Sequence, residues 1–313
     1  MKNKVVAILG PTASGKSDLA VELADRVGGE IISCDSVQLY RGLDIGSGKV
    51  TEREKIASSG RKIVHHMLDV CDPVDEFTAY DYQKSARRAV EAVIASEKIP
   101  ILCGGTGLYF KSVVDDYHYE NEPDEKQIEI QNKYLKLLDE QGKEAMHRLL
   151  AAKDPEAAKT YHQNNVRRVI RALVRLEMDY ATVDEIKSEP YYHVLGYGLQ
   201  VDRTVLYKRI DARVEEMLAQ GILEETKGLL MRGVPREHKI MNTLGYRHML
   251  QFMDGIIDWD EAVRLMKRDT RRYAKRQYTW FKRDARIQWL PYDSKEDREV
   301  NLSIMESGIS NFF

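Results

Sequence analysis

The chain has 313 residues, of which 43% are hydrophobic and 31% are charged, and its net charge at pH 7 is -2. This is the composition of an ordinary globular protein, long enough to bury a full core in one large domain or in one domain with a smaller companion. The longest uninterrupted apolar run, residues 5–9, is far shorter than the roughly 20 residues of a membrane span, and the N-terminus lacks a signal-peptide pattern. We therefore expect a cytoplasmic protein with no membrane contact.

The first third of the chain alternates short apolar runs with helical patterns. Residues 5–9, 30–34 and 99–103 are predicted strands, and residues 18–26 are a predicted helix. In a longer helix before residue 99, the apolar residues recur at helical spacing and predict one face packed on a sheet; they are Ala86, Ala89, Val90, Val93 and Ile94. This alternation predicts an α/β fold with a parallel sheet and crossover helices.

The character of the sequence changes between residues 119 and 189. Strand signals vanish, and charged helical sequence such as "DEKQIEIQNKYLKLLDEQGKEAMHRLL" takes over. Alternation resumes at "YHVLGYGLQV", a predicted strand, which an amphipathic helix follows. We predict a core built from residues 1–118 and 190–313 and a helical insertion domain at 119–189. The residues from 293 onward predict no element.

A phosphate-binding loop follows the first predicted strand directly. Residues 10–17, "GPTASGKS", match G-x-x-x-x-G-K-[ST] between a strand and a helix, which is the context that the motif requires. Backbone N–H groups and the helix dipole bind anionic oxygens, Lys16 adds a charge, and Ser17 offers its hydroxyl to Mg²⁺. The predicted phosphate contacts are Gly10, Pro11, Thr12, Ala13, Ser14, Gly15, Lys16 and Ser17.

The carboxylate that usually accompanies such a loop is placed unusually. The predicted strand 99–103 is followed by Gly104, Gly105 and Thr106 instead of a magnesium-binding aspartate. Asp35 ends the second predicted strand, at the edge where open α/β sheets bind ligands. Two interpretations of Asp35 stay open from the residues alone: a partner of Mg²⁺ through water, or a general base. Gln38 is suited to pairing with an adenine edge.

Five segments in order resemble the motifs of the bacterial tRNA dimethylallyltransferases, also called tRNA isopentenyltransferases. They are "GPTASGKS", "DSVQLYRGLDIGSGK", "HHMLDVCDP", "GGTGLYFKSVV" and "AKRQYTWFKR", and the resemblance spans about residues 5–289. It implies a P-loop NTPase-like parallel sheet flanked by helices. It also implies transfer of a dimethylallyl group from dimethylallyl diphosphate to the N6 amine of the adenosine 3′-adjacent to a tRNA anticodon, with Mg²⁺ as cofactor and diphosphate released.

The resemblance also implies roles for single residues. Asp35 would be the general base, while Lys16, Thr106 and an arginine would hold the departing diphosphate. Arg209 and Arg213 lie four residues apart in one predicted helix; we favour Arg213 as the catalytic arginine and keep Arg209 as a phosphate contact. The segment that would read the flipped adenosine is Asp35, Ser36, Val37 and Gln38. The alternative for Ser36 and Gln38 is a cap on the next turn.

Two stretches are predicted to bind the anticodon stem-loop of tRNA. Residues 264–286 carry ten basic and two acidic residues, which indicates contact with phosphates, although a solvated helix face is the alternative. The predicted contacts there are Arg272, Lys275, Arg276 and Gln277, whereas the interleaved Trp280 and Phe281 are predicted to be core. In the insertion, the resemblance implies contacts by Arg167, Arg168, Val169, Ile170 and Arg171.

Three other functions compete with this interpretation. A P-loop small-molecule kinase would explain Lys16, Ser17 and Asp35, but not the basic segment or the insertion. An adenylate isopentenyltransferase, acting on AMP, ADP or ATP, would need no tRNA-binding surface. A non-catalytic RNA-binding module would leave the phosphate loop without a purpose. The sequence indicates no obligate protein partner.

Overall fold

The computed structural model describes residues 3–116, 125–178 and 190–313. The chain divides into two compact units, a core unit of Met1–Asp116 with Pro190–Phe313 and a helical unit of Tyr117–Glu189. Within the described ranges, no helix combines the length and the apolar character that crossing a membrane requires.

The core unit is built on a parallel sheet. Its strands in the described residues are β1 (Lys4–Leu9), β2 (Gly29–Cys34), β3 (His65–His66), β4 (Ile99–Gly104), β5 (His193–Gln200) and β6 (Ile287–Pro291). They pair in the order β3-β2-β4-β1-β5-β6, with every pairing parallel. The predicted α/β fold with a parallel sheet is therefore confirmed, and β3 and β6 are added to it as edge strands.

Helices cover both faces of this sheet. In chain order, the helices of the described residues are α1 (Lys16–Val27), α2 (Ala79–Ala95), α3 (Gly107–Val114), α4 (Glu125–Lys153), α5 (Pro155–Thr160), α6 (Val166–Glu177), α7 (Arg203–Gln220), α8 (Ile222–Met231), α9 (Tyr246–Met253), α10 (Trp259–Phe281) and α11 (Glu296–Phe312), with a 3-10 helix at Lys239–Asn242. Of these, α4 to α6 belong to the helical unit and the others to the core unit. Alternate residues of β1 enter different apolar clusters, because successive side chains of a strand point to opposite faces. Val5 joins the cluster that contains Val90 of α2, and Val6 joins the one that contains Leu19 of α1 and Leu302 of α11.

The helical unit has an apolar core of its own, which contains Tyr134, Met146 and Leu150 of α4 and Leu173 of α6. The path of α4 breaks at Gly142, whose φ of 76° is a left-handed conformation that favours glycine. α4 to α6 therefore pack on each other as a separate body within the chain.

Candidate active site

The phosphate loop joins β1 to α1 in a tight left-handed path. Ala13 has a φ of 60° and Gly15 a φ of 88°. A side chain at Gly15 would collide with the ring of Tyr292, so the loop leaves no room for one there. Lys16 donates from Nζ to the carbonyl of Pro11 at 3.1 Å, which bends its side chain back over the loop. The result is the compact turn that presents backbone N–H groups to an anion.

A cavity of about 320 Å³ lies at the carboxyl ends of β1, β2 and β4, in front of this loop. Open α/β sheets bind their ligands at this edge. Loop residues contribute Thr12, Lys16 and Ser17 to the lining. The remaining polar lining includes Asp35, Ser36, Gln38, Arg213, Arg247, Tyr273 and Arg276. The structure thus brings the predicted phosphate loop and the predicted base to one cavity.

Asp35 and Thr106 lie on neighbouring strand ends. Asp35 accepts hydrogen bonds at Oδ1 from the backbone N–H groups of Val37 (2.8 Å) and Gln38 (3.3 Å). Thr106 accepts at Oγ1 from the N–H of Ser36 at 3.2 Å. Burial raises the pKa of Tyr273, a neighbour of Thr106, to about 12. Asp35 is therefore held in a fixed orientation, with Thr106 joined to the same turn.

The glycines around Thr106 permit this close approach. A side chain at Gly104 would collide with the backbone of Cys34, and one at Gly107 would collide with the indole of Trp280. The Gly-Gly-Thr-Gly sequence thus lets β4 end against β2 while α10 packs on the start of α3. Phe281 is 1% exposed and Trp280 packs against the same apolar cluster, so their predicted role as core residues is confirmed.

Two half-buried cations, Lys16 and Arg213, line the cavity. Burial lowers the pKa of Lys16, and the positive charge of Arg213 lowers it further, while Asp35 acts in the opposite direction. Burial likewise lowers the pKa of Arg213, which Asp35 raises. Bringing two such cations together costs free energy that a bound polyanion would offset. The charge pattern favours a ligand such as diphosphate.

The structure separates the two arginines of α7. Arg213 lines the cavity and donates from Nη2 to the carbonyl of Gly48 at 3.1 Å. Arg209 instead donates to the carbonyls of Tyr292 (3.1 Å) and Asp293 (2.7 Å), and to that of Ser14 at 3.4 Å. The phosphate contact predicted for Arg209 is not supported by this arrangement, because its guanidinium ties the C-terminal segment to the back of the loop.

Gln277, a predicted tRNA contact, is 6% exposed. Its Oε1 accepts from the N–H of Thr12 at 2.9 Å, and its Nε2 donates to the carbonyl of Gly105 at 2.9 Å. Both polar atoms of this side chain are thus hydrogen-bonded to backbone groups of the protein. Gln277 therefore supports the phosphate loop and the end of β4 while it also lines the cavity, and its contact with tRNA stays a prediction.

The basic segment 264–286 is partly neutralised within the fold. Arg271 forms a bidentate ion pair with Asp211 on α7, and Arg286 pairs with Asp115 at 2.5 Å. Among the predicted tRNA contacts, Arg276 lines the cavity, and Arg272 and Lys275 are exposed on α10. The count of ten basic residues therefore overstates the charge that is available to a partner.

The predicted contact stretch in the helical unit divides in the same way. Arg167, Arg168 and Arg171 are exposed on α6. Val169 and Ile170 are only 1% and 6% exposed, and they belong to the apolar core of that unit. Direct contact of these two side chains with a substrate is contradicted by their burial, which leaves the arginines as the surface of this stretch.

Several lining residues escaped the sequence analysis. Arg247 comes from the start of α9, Leu244 from the segment just before it, and Met266 from α10. Met217 continues the face of α7 that carries Arg213, so helical spacing from that arginine was the one signal that pointed to it. These residues lie far apart in sequence and are brought together by tertiary packing.

Comparisons with known proteins agree with this geometry. A family model described as IPP transferase matches residues 38–284. The tRNA dimethylallyltransferase of Bacillus velezensis is 43% identical over 96% of this chain and 95% of its own. That of Carboxydothermus hydrogenoformans is 40% identical, with 100% of both chains covered.

Solved structures give the same result. The tRNA isopentenylpyrophosphate transferase of Bacillus halodurans has a TM-score of 0.72 and 36% identity, covering 99% of this chain and 98% of its own. A eukaryotic dimethylallyltransferase acting on tRNA has a TM-score of 0.80 and 27% identity, covering 99% of this chain and 79% of its own. The match of the family model to most of the chain, together with relatives of about 40% identity over their whole length, shows that this chain belongs to the IPP transferase family.

Proposed function

We propose that this chain is a tRNA dimethylallyltransferase, which transfers the dimethylallyl group of dimethylallyl diphosphate to the N6 amine of the adenosine 3′-adjacent to the anticodon. The observation that carries the proposal is the meeting of the phosphate loop, Asp35 and Arg213 in one cavity. The relatives named tRNA dimethylallyltransferase support the same reaction. A tRNA substrate also fits the cytoplasmic location expected from the sequence.

Asp35 acts as the general base on the adenosine amine. The lone pair of this amine is delocalised into the ring, so the amine is a weak nucleophile and gains from losing a proton as the new bond forms. The nitrogen attacks C1 of the allylic chain, the C1–O bond breaks, and its electron pair leaves with the diphosphate. The proton passes to the carboxylate of Asp35, which the N–H groups of Val37 and Gln38 hold in place.

The phosphate loop, Lys16, Thr106 and Arg213 stabilise the charge that develops on the leaving diphosphate. Such groups are most effective when they are oriented before the reaction and shielded from water. Lys16 and Arg213 are half-buried in this cavity, and this burial lowers the pKa of both. No phosphoryl group is transferred, since the bond that breaks joins oxygen to carbon.

The residues of the cavity fit a magnesium ion. Mg²⁺ is usually held by one or two protein oxygens together with substrate phosphates, and the Ser17 hydroxyl lines the cavity at the phosphate loop. Among the described residues, no group of three His, Cys, Asp or Glu side chains would hold an ion without the substrate. When bound, the ion supplies positive charge to the diphosphate oxygens.

The adenosine must leave its stack in the anticodon loop to reach Asp35, at a cost of a few kcal/mol. Ser36 and Gln38 line the cavity beside Asp35 and would read the base edge. Exposed arginines of α6 and the exposed Arg272 and Lys275 of α10 would contact tRNA phosphates. A complex in which the adenosine is still stacked would refute base flipping.

One experiment separates this function from its rivals. The protein is incubated with Mg²⁺, labelled dimethylallyl diphosphate and either unmodified tRNA or AMP, and in parallel with labelled ATP and small-molecule acceptors. We expect prenyl label in tRNA alone. Label in AMP would instead identify an adenylate isopentenyltransferase, and phosphate transfer from ATP would identify a kinase.

The same assay tests the base. Asp35→Asn keeps the shape of the side chain but loses the proton acceptor, so turnover should fall by about 100-fold or more. Asp75→Asn, at an exposed aspartate that does not line the cavity, is the matched control and should turn over normally. Full activity of Asp35→Asn would contradict the assignment.

A further inference from the structure

Glu225 on α8 is a carboxylate that the mechanism above does not use. It accepts hydrogen bonds from three consecutive backbone N–H groups, those of Asp44 (2.9 Å), Ile45 (2.8 Å) and Gly46 (2.9 Å). It also accepts from the hydroxyl of Tyr246 at 2.7 Å. We call residues 44 to 48 the 44–48 loop. The carboxylate of Glu225 accepts all four of these hydrogen bonds and so holds the start of this loop against α8 and α9.

The other end of the 44–48 loop is part of the active site. Gly46, Ser47 and Gly48 line the cavity. The carbonyl of Gly48 accepts from Nη2 of Arg213 at 3.1 Å and from Nε2 of Gln38 at 3.2 Å. The position of the Gly48 carbonyl therefore affects the positions of the Arg213 and Gln38 side chains.

The loop is shaped for this role by two glycines. Gly46 lies so close to the ring of Tyr246 that a side chain there would collide with it. Gly48 has a φ of 56°, and a side chain there would collide with the guanidinium of Arg213. The backbone therefore runs in direct contact with Tyr246 at one point and with Arg213 two residues later.

A second anchor, which does not involve Glu225, also holds the loop. Lys49 donates from Nζ to Asp44 Oδ1 (2.6 Å), Asp69 Oδ1 (2.6 Å) and the carbonyl of Tyr40 (2.9 Å). Loss of Glu225 would thus release the backbone at residues 44–46 without detaching the loop from the core unit. A substitution at Glu225 should displace Gly48 slightly and leave the fold in place.

We propose that Glu225 is a positioning residue of the reaction, which holds the 44–48 loop so that the Gly48 carbonyl aims the guanidinium of Arg213 at the leaving diphosphate. The inference rests on the proposed function, because the anion that Arg213 meets is the diphosphate of the substrate. Arg213 lies in the cavity as a half-buried cation with several rotatable bonds, and a fixed carbonyl limits its orientations. The carboxylate of Glu225 thereby acts on the site through backbone atoms alone.

The test compares Glu225→Gln with Glu224→Gln on the same helix. The amide keeps one acceptor oxygen but turns an NH₂ group toward the backbone N–H donors, whereas Glu224 is exposed and pairs with Lys227. We expect kcat for tRNA prenylation to fall about 100-fold in Glu225→Gln. Titration calorimetry with inorganic diphosphate should show Kd raised about tenfold at unchanged stoichiometry, a loss of about 1.4 kcal/mol. Glu224→Gln should match the wild type.

A double-mutant cycle distinguishes positioning from general support. If Glu225 acts through Arg213, then Glu225→Gln should weaken diphosphate binding no further in an Arg213→Ala background. Tyr246→Phe removes only one of the four hydrogen bonds and keeps the ring, so it should raise Kd by a smaller factor, about threefold. This variant tests the proposal even if Glu225→Gln does not fold.

The proposal is overturned by an unchanged Kd in both Glu225→Gln and Tyr246→Phe. It is equally overturned by additive effects with Arg213→Ala, or by a lower stoichiometry at unchanged Kd, since either result would reveal a purely structural role. If the wild type itself does not bind diphosphate, the proposed function fails first. The two failures are therefore distinguishable in a single set of titrations.

Discussion

Arg209 and Arg213 carry the same functional group one helical turn apart, yet their surroundings give them different roles. Arg213 lines the cavity as a half-buried cation, and the charge of Asp35 acts on it. Arg209 donates hydrogen bonds to carbonyl oxygens at the back of the phosphate loop. At the scale of single residues, the site is thus defined by which groups a side chain meets and not by its chemical type.

Thr106 offers the sharpest test at this scale. Thr106→Ala removes the hydroxyl that is bonded to the N–H of Ser36 next to Asp35, and loss of one donor to a developing oxyanion lowers the rate by about 100- to 1000-fold. We expect a loss of kcat of that order, measured by steady-state prenyl transfer to tRNA. Thr106→Ser keeps the hydroxyl and should retain most of the activity. Unchanged turnover in Thr106→Ala would remove Thr106 from the site.

At the scale of elements, α10 presents different residues to different neighbours. Phe281 and Ala274 face the apolar clusters, Gln277 supports the phosphate loop, and Arg271 pairs with α7. Lys275 is exposed on the same helix. One helix thus joins the core, the phosphate site and the proposed tRNA surface, because its 3.6-residue period turns successive residues to different sides.

The exposed basic residues of α10 should determine how tRNA binding depends on salt. Each phosphate contact that is lost reduces the slope of log K against log salt by about one. We expect this change in Lys275→Ala, measured by filter binding between 50 and 200 mM salt, which are typical conditions for such titrations. Arg271→Ala is the matched control, since its charge is already paired with Asp211 and the slope should stay the same. Equal slopes in both variants and the wild type would count against the surface.

The contact of α9 with α10 should make stability depend on pH. Burial alone would raise the pKa of Asp269, but hydrogen bonds from Arg268 and His248 and the charge of Arg247 outweigh it and lower that pKa to about 2. A depressed carboxyl pKa stabilises the fold above the usual value near 4 and loses that contribution as the pH falls toward 2. Burial lowers the pKa of His248, so its protonation below about pH 6.5 also opposes folding.

We therefore expect the free energy of unfolding to decrease as the pH falls from about 6.5 to 2. Asp269→Asn should lower it by on the order of 2 kcal/mol at pH 7, with a difference that shrinks toward pH 2. Urea unfolding at a series of pH values measures this, and Asp260→Asn, exposed in the first turn of α10, is the control. A constant difference at all pH values would contradict the expected pKa.

At the scale of the whole molecule, the chain consists of a core unit interrupted by a helical unit. The two sides of the interruption are joined within the core unit. Asp115 and Pro190 form a β-bridge, and Tyr191 and Tyr192 donate to the carbonyl of Val114. The core unit can therefore close without the residues between them.

Replacement of residues 117–189 by a short Gly/Ser linker tests this organisation. We expect the remaining chain to fold, as measured by circular dichroism, and to bind inorganic diphosphate with the affinity of the full chain. Affinity for tRNA should fall, because the arginines of α6 are lost. A control variant with Arg167, Arg168 and Arg171 changed to Ala should lose a comparable part of that affinity. Undiminished tRNA binding in both would exclude a role of the helical unit.

The sequence alone determined the features that depend on neighbours along the chain. The phosphate loop is a continuous motif, and the alternation of β1, α1 and β2 follows from apolar periods of about 2 and 3.6 residues. The insertion was visible because its composition differs over about 70 residues. α11 was missed even though it packs Leu302 and Met305 into an apolar cluster, because its amphipathic pattern is weak.

Only the tertiary structure decided which side chains share the site. Gln277 holds Thr12 across 265 residues, and Glu225 holds Ile45 across 180. No local pattern records such pairings, because they depend on how strands and helices pack and not on the spacing of residues within one element. For the same reason, the sequence did not show that Val169 and Ile170, in the stretch predicted to contact tRNA, have buried side chains. The sequence motif thus identified the phosphate loop, and only tertiary packing determined which residues lie beside it.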